Sequence, residues 1–274
     1  MFFDNSKCFI FDKSIRTIEG NEIQIYKLNN ELLDNQYLNG WATSLRNHYI
    51  EEKMIDSLRE GTGLTRKDFL KEMIFPDSTV RLGAATMSGE FGEILVYDYI
   101  NYVLKYYVTR TRYLEKINRN MPVSGSDVLG YKVADINKIN NNDELLVAEV
   151  KTRSSKSAKK EELCSKTITN AIIHSSKDRV RIGESLNAEK RRLICRSRFD
   201  EAKIIERFQN KTDFPFKLVF FAVAVLDSEI YSEQIILDTV KSHQEDLKST
   251  DLLIIHSENL LNILRELYER ACLC

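Results

Sequence analysis

The feature that most restricts the fold of this chain is an uninterrupted apolar run, LVFFAVAVL, at residues 218–226. The run is far shorter than the roughly 20 apolar residues that a membrane-spanning helix requires. An apolar run without alternation is typical of a strand that is buried on both faces, inside a sheet that helices cover on both sides. The run therefore predicts an α/β fold, and it predicts no transmembrane segment.

The elements predicted around this strand alternate between helices and strands. Ser88 is a candidate N-cap of a long helix in which Phe91, Leu95, Tyr99 and Val103 repeat at four-residue steps. This order predicts a mixed central sheet flanked by helices, with an αβββαβ core. The remaining patterns predict strands over residues 111–117, 127–136 and 144–152, helices over 158–174 and 184–209, the central strand over 217–226, a helix over 233–247, a strand over 251–256 and a terminal helix.

Residues 1–86 carry the weakest patterns, and we expect them to form a mainly helical accessory region. A helical stripe runs over residues 38–58, and Thr65 is a candidate cap of a short helix that ends near Pro76. We expect this region to dock a partner, and we expect residues 87–274 to form the domain that carries the chemistry.

The N-terminal residues and the cysteines indicate the compartment. The segment MFFDNSKCFIFDKS lacks the basic start, apolar core and small-residue cleavage site of a secretory signal. The five cysteines are widely scattered, which suits reduced thiols, and they have no partners at zinc-site spacing. We therefore expect a cytoplasmic protein.

The formal net charge of −1 conceals a basic segment in the middle of the chain. Residues 151–217 carry 18 basic and 9 acidic side chains, whereas the segments on either side are acidic. Such a concentration of positive charge is what a phosphate backbone requires, although solvated helix faces with acidic neighbours explain the same pattern. Lys156, Lys159 and Lys160 are the candidate phosphate contacts, because they follow a strand that carries unusual polar residues.

Four polar residues stand at informative positions in the predicted order. Glu93 lies in the long helix, Asp127 begins the second strand, and Glu149 and Lys151 lie near the end of the third. Residues two apart on a strand point to the same face, so Glu149 and Lys151 project together from an otherwise apolar segment. Burial of these two charges is expensive unless they are partners or the site is open to solvent. The four residues therefore form a candidate active site.

These residue types meet the requirements of phosphodiester hydrolysis. The reaction needs a divalent cation on oxygen ligands, a water activated near that cation, and a positive group that positions the water. Asp127, Glu149 and the Val150 backbone carbonyl are candidate ligands of one Mg²⁺ or Mn²⁺, and Glu93 is a candidate further ligand or the ligand of a second ion. Lys151 is the candidate group that orients or helps to deprotonate the attacking water.

Two of these assignments have rivals within the sequence. Glu90 lies three positions before Glu93 on nearly the same helix face and is able to take its role. Asp135 shares a strand face with Asp127, but an antiparallel hairpin brings the start of the second strand to the end of the third, which favours Asp127. An E-x-K pair is often an exposed salt bridge, and a lone histidine such as His174 is more often structural, so His174 is not assigned to the site.

The segments GEFGE, SGSDVLG and VAEVKTR follow the pattern E-x(33)-D-x(21)-E-V-K, which resembles the PD-(D/E)xK nucleases of the restriction-endonuclease-like fold. The resemblance covers residues 88–227 and implies metal-dependent cleavage of DNA. Ser126 stands where the motif has its proline, a position that varies widely in such enzymes. No Gln-x-x-x-Tyr follows the lysine, which argues against the subgroup that resembles the exonuclease domains of recombination helicases.

More narrowly, the segments GEFGEILV, SGSDVLGYK and LLVAEVKTR resemble HamA, the family of nuclease subunits of the Hachiman anti-phage defence system. That resemblance implies a DNA helicase partner that controls a sequence-nonspecific nuclease. The modest basic segment suits such control, because weak autonomous DNA binding keeps the enzyme harmless. The alternative is a catalytically silent adaptor that keeps the fold and binds a helicase or a nucleic acid.

Overall fold

The computed structural model describes residues 2–17, 20, 22–32, 34–136, 138–154 and 159–274. Its centre is a six-stranded mixed sheet, and helices flank both faces, which confirms the predicted α/β class. The strands are β1 (Phe9–Arg16), β2 (Glu22–Leu28), β3 (Val128–Lys132), β4 (Glu144–Arg153), β5 (Lys217–Asp227) and β6 (Asp251–Ser257).

The strand order across the sheet is β1-β2-β6-β5-β4-β3. The four inner strands run parallel to one another, and the two edge strands, β1 and β3, pair antiparallel with their neighbours. Parallel strands need helical connections that pass over a face of the sheet. This explains why the helices cover both faces.

The helices divide between the two faces and the ends of the sheet. Among the described residues, no helix combines the length and the apolar character needed to cross a membrane. The helices are α1 (Asn35–Tyr49), α2 (Glu52–Arg59), α3 (Arg66–Phe69), α4 (Arg81–Asp98), α5 (Lys160–Cys195), α6 (Phe199–Glu206), α7 (Glu233–Ser242), α8 (Gln244–Leu247) and α9 (Leu260–Ala271).

The central strand β5 is the strand that the apolar run predicts. Val223 and Val225 belong to the core on one face of the sheet, which also contains buried residues of α1, α4 and α9. Ala222 and Ala224 belong to the core on the other face, with buried residues of α5 and α7. Both faces of β5 are therefore covered, because successive side chains of a strand alternate in direction.

Two predicted helices have different bounds in the structure. Helix α4 begins at Arg81, so Ser88 lies inside it rather than at its cap, and the Ser88 Oγ lies 2.8 Å from the Ser154 Oγ. Helix α5 is continuous across the predicted gap between residues 174 and 184, but it ends at Cys195, so the rest of the helix predicted over 184–209 forms the separate helix α6. The middle of α5 contains Gly183 and a polar stretch that hides the apolar periodicity, but buried positions such as Asp178 and Ser185 continue the packed face.

The strand predicted over residues 111–117 is wrong, since the structure forms turns there. The extended segment lies a few residues earlier, where Tyr107 and Tyr131 of β3 exchange backbone hydrogen bonds of 2.8 Å. Arg110 then takes a left-handed conformation, with φ of 54°, which ends the extension. The turn that follows brings Arg112 and Tyr113 towards the predicted site.

The N-terminal residues contain two strands that the sequence patterns did not predict. Strands β1 and β2 extend the central sheet through the pairing of β2 with β6. Helix α1 lies against α9, where the Tyr49 and Tyr268 hydroxyls are 2.6 Å apart. The division of the chain at residue 87 and the docking role of residues 1–86 stay predictions.

Candidate active site

The β3–β4 hairpin brings Asp127 to the Glu149–Lys151 pair predicted on β4. Val128 pairs with Ala148, so Asp127 lies at the end of β3 beside Glu149, and its Oδ2 accepts a hydrogen bond of 2.9 Å from the Val150 backbone N–H. The rival carboxylate, Asp135, lies beyond the other end of β3 and forms an ion pair with Lys138 at 3.6 Å.

Glu149 and Lys151 share one face of β4, as their spacing predicts, and they form an ion pair. The Glu149 side chain is 5% exposed, and the Lys151 side chain is 28% exposed. The Lys151 Nζ also donates a hydrogen bond of 3.2 Å to the Val150 carbonyl. The Lys151 ammonium group thus lies at the solvent-facing opening of the site, and it contacts both the Glu149 carboxylate and the Val150 carbonyl.

Helix α4 approaches β4 very closely, and this contact places Glu93. A Cβ on Gly92 would overlap the Thr152 hydroxyl, so only glycine fits at this crossing. Glu93 forms an ion pair of 3.0 Å with the Arg112 Nε and accepts a hydrogen bond of 2.5 Å from the Tyr113 hydroxyl.

The rival glutamate on α4 has different partners. Glu90 is buried, forms an ion pair with Lys116 and accepts a hydrogen bond of 2.8 Å from the Tyr49 hydroxyl. The Glu90 carboxylate therefore faces the region where α1 packs against α9. Of the two glutamates, Glu93 is the one whose guanidinium partner, Arg112, also pairs with Asp127.

Arg112 joins the two carboxylates that the motif brings together, and sequence reasoning missed it. Its Nη2 lies 3.1 Å from Asp127 Oδ1 and donates to the Val123 carbonyl at 2.9 Å, and its Nη1 donates to the Ser126 carbonyl. The side chain is 6% exposed. Arg112 therefore offsets the charges of Glu93 and Asp127 and holds the loop before β3. No local pattern marks it, because its partners are distant in sequence.

Helix α5 crosses the other side of the site. The His174 Nδ1 lies 3.5 Å from Glu149 Oε1, and the Arg181 Nη2 lies 3.9 Å from Glu149 Oε2. Between them, the fully buried Asp178 accepts a hydrogen bond of 2.9 Å from Arg181, and Ser185 accepts one of 3.0 Å from the Ser126 backbone N–H. The sequence patterns left His174 unassigned and did not identify Arg181, Asp178 or Ser185. The signal available was their spacing along one helix face.

Burial and mutual repulsion shift the titration of the carboxyl groups. Burial, with the negative charge of Asp127, raises the pKa of Glu93 to about 8. Burial also raises the pKa values of Asp127 and Glu149, and the charge of Glu149 adds to the effect on Asp127. Burial by itself would lower the pKa of Lys151, but the charges of Asp127 and Glu149 raise it above its ordinary value. Lys151 is thus a cation at neutral pH.

The carboxylate pair suits a hard divalent cation with few protein ligands. Among the described residues, no three histidine, cysteine or carboxylate side chains form a group that could hold a metal ion. Mg²⁺ usually keeps several waters and binds through one or two carboxylates together with substrate phosphates. Asp127 and Glu149 fit that requirement. Asp127 contacts Arg112 and the Val150 N–H, and Glu93 likewise contacts protein groups, Arg112 and Tyr113.

The predicted phosphate contacts lie at the start of α5. Lys159 and Lys160 are exposed and form ion pairs with Glu162 at 3.3 Å and with Glu229 at 3.9 Å, respectively. Lys156 lies outside the described residues. With the helical rise of 1.5 Å per residue, Lys160 lies roughly 20 Å along α5 from His174. The structure thus does not bring Lys159 and Lys160 to the carboxylates.

The fold and the site define an α/β protein with a mixed sheet and a buried carboxylate–lysine cluster at the junction of β3, β4, α4 and α5. The HamA family model matches residues 3–271, and the chain belongs to the HamA family. It is accordingly an anti-phage defence protein. No curated protein and no solved structure matches the chain.

Proposed function

We propose that the protein is a divalent-metal-dependent DNA nuclease, the effector of an anti-phage defence complex. The observation that carries this proposal is the junction of Asp127, Glu149 and Lys151. The hydrogen bond from the Val150 N–H holds Asp127 beside the Glu149–Lys151 pair. A purely structural core has no need for two buried carboxylates and a half-buried ammonium at one place, because their desolvation is costly.

The residues of the site have different roles in the proposed hydrolysis. Asp127, Glu149 and the Val150 carbonyl hold Mg²⁺ or Mn²⁺, and Glu93 is the further ligand or holds a second ion. When bound, the ion supplies Lewis-acid stabilisation of the charge that develops on the phosphate and lowers the pKa of a nearby water. Lys151 orients the attacking water and offsets negative charge at the reacting phosphate.

The same proposal includes the partners that the family resemblance implies. Lys156, Lys159 and Lys160 contact the DNA backbone away from the cleaved bond. Because phosphate contacts carry no sequence information, cleavage is sequence-nonspecific. A DNA helicase of the same defence system controls the nuclease, and the complex acts in the cytoplasm.

Cleavage of supercoiled and linear DNA by the purified protein tests this function. The assay compares Mg²⁺, Mn²⁺ and EDTA, each with and without the helicase. The variant is Lys151→Ala, and the matched control is Lys132→Ala, an exposed lysine on the neighbouring strand β3. We expect metal-dependent cutting that Lys132→Ala retains and Lys151→Ala loses.

Two outcomes contradict the proposal in different ways. Equal cutting by Lys151→Ala and the parent protein, with contaminating nuclease excluded, would remove Lys151 from the chemistry. Stable helicase binding without cutting under any condition would favour the catalytically silent adaptor.

A further inference from the structure

The middle of α5 carries a cationic group at the mouth of the site that the proposed chemistry does not use. Arg181 is 40% exposed at its side chain, and its Nη2 lies 3.9 Å from Glu149 Oε2. About two helical turns earlier on α5, the His174 Nδ1 lies 3.5 Å from the Oε1 of the same carboxylate. Glu149 is therefore flanked by Lys151 on its own strand and by these two side chains on α5.

The hydrogen bonds of Arg181 use only a small part of its donor set. A guanidinium has five N–H donors in a planar fork. Its Nη2 donates to Asp178 Oδ1 at 2.9 Å, while its Nε is buried and has no hydrogen-bond partner among the described residues. Asp178 is fully buried, so it orients the guanidinium without covering the exposed part. An oriented, half-exposed guanidinium with free donors suits a phosphate group.

The charges around Glu149 also indicate that Arg181 binds a phosphate group. In the absence of substrate, Lys151 and Arg181 share the negative charge of Glu149. Once Glu149 serves as a metal ligand, that attraction is reduced, and the exposed part of the guanidinium is available to a second anion besides Asp178. The phosphodiester of a bound nucleic acid strand supplies it.

We propose that Arg181 is the phosphate-binding residue nearest the cleavage position, a role that rests on the proposed nuclease function. Lys160, at the start of α5, lies roughly 30 Å from Arg181 along the helix, which corresponds to about nine base-pair steps of 3.4 Å. The DNA strand thus passes along α5. Arg181 contacts the reacting phosphate, and Lys159 and Lys160 at the start of the helix contact distant phosphates.

The test measures DNA binding separately from cleavage. The probe is a fluorescein-labelled DNA duplex with a single-stranded tail, titrated in EDTA at several salt concentrations. Arg181→Gln keeps a donor for Asp178 and removes the charge, Arg181→Lys restores the charge, and Arg191→Gln is the matched control at an exposed arginine of α5. Thermal unfolding without DNA confirms that each variant is folded.

We expect Arg181→Gln to raise the Kd for DNA about tenfold and to reduce the slope of log Kd against log salt by about one. Arg181→Lys should recover the salt slope and most of the affinity, and Arg191→Gln should resemble the parent. A structural role alone would change the unfolding temperature and leave the salt slope at the parent value.

The outcomes separate this inference from the proposed function. If the parent cuts DNA while Arg181→Gln and Arg191→Gln bind DNA equally, the role of Arg181 is overturned and the nuclease stands. If Arg181→Gln alone loses binding and the parent never cuts, the phosphate contact stands and the nuclease is overturned. A parent that neither binds nor cuts DNA at low salt overturns both.

Discussion

Asp127 accepts a hydrogen bond of 2.9 Å from the backbone N–H of Val150, across the β3–β4 hairpin. The contact fixes one carboxylate oxygen of Asp127 by the backbone of the strand that carries Glu149 and Lys151. The other oxygen faces Arg112 at 3.1 Å. The relative position of the two carboxylates is therefore determined by main-chain geometry rather than by flexible side chains.

Asp127→Asn should reduce metal-dependent cleavage by roughly a hundredfold or more, because an amide neither carries the charge nor binds a hard cation as a carboxylate does. The apparent Mg²⁺ affinity, measured as metal-induced thermal stabilisation, should fall in parallel. Asp135→Asn is the control, since that residue lies at the far end of β3. Equal losses in the two variants would show that Asp127 has no special role.

Arg112→Met should destabilise the protein by about 3–5 kcal/mol at a pH above about 8, where Glu93 is ionised, because the variant then leaves two buried carboxylates without their cation. Urea unfolding measures the change. The control is Arg66→Met, whose ion pair with Glu52 is partly exposed and should contribute about 1 kcal/mol or less. A change for Arg112→Met as small as that of the control would mean that the carboxylates are neutral in the folded protein.

Gly92→Ala should destabilise the protein by about 1–3 kcal/mol, since the added methyl group overlaps the Thr152 hydroxyl. Helix α4 would have to move away from β4 and take Glu93 with it. Gly89→Ala on the same helix meets open space, and it should stabilise the protein by about 0.5–1 kcal/mol through helix propensity. The prediction fails if both alanine variants are stabilised in chemical unfolding.

The raised pKa of Glu93, about 8, makes the stability of the metal-free protein depend on pH. The unfolded carboxyl titrates near 4.3. Between these values the folded state binds more protons than the unfolded state, so the contribution of Glu93 to stability is largest at low pH and decreases as the pH rises through about 8.

Glu93→Gln should therefore flatten the decrease in unfolding free energy between about pH 4.5 and pH 8. Urea titrations at several pH values in EDTA measure this slope, and the exposed Glu60→Gln serves as control. An unchanged slope in Glu93→Gln would show that the Glu93 carboxyl titrates normally.

The sequence patterns predicted the strands whose burial or pairing depends on residues that are close together in the chain. Strand β5 was recognised because an apolar run is the direct consequence of burial on both faces. The pairing of β3 with β4 followed from the short connection between them, and this pairing brings Asp127 rather than Asp135 beside Glu149.

Other features depended on contacts between distant segments. Strands β1 and β2 were missed because their seven or eight residues mix exposed and buried positions, and they join the sheet through the pairing of β2 with the distant strand β6. The predicted strand over residues 111–117 failed because Arg110 reverses the chain and Arg112 finds its partners on α4 and β3.

The sequence by itself determined the alternation of helices and strands, the antiparallel hairpin, and the position of Asp127, Glu149 and Lys151 on it, because these depend on local periodicity and short connections. The tertiary structure decided which face of α4 meets the hairpin, that Arg112 lies between Glu93 and Asp127, and that the middle of α5 rather than its start reaches Glu149. Those outcomes depend on how closely helices approach the sheet, as Gly92 permits against Thr152. Packing distances of this kind are properties of the assembled chain and leave no periodic pattern in it.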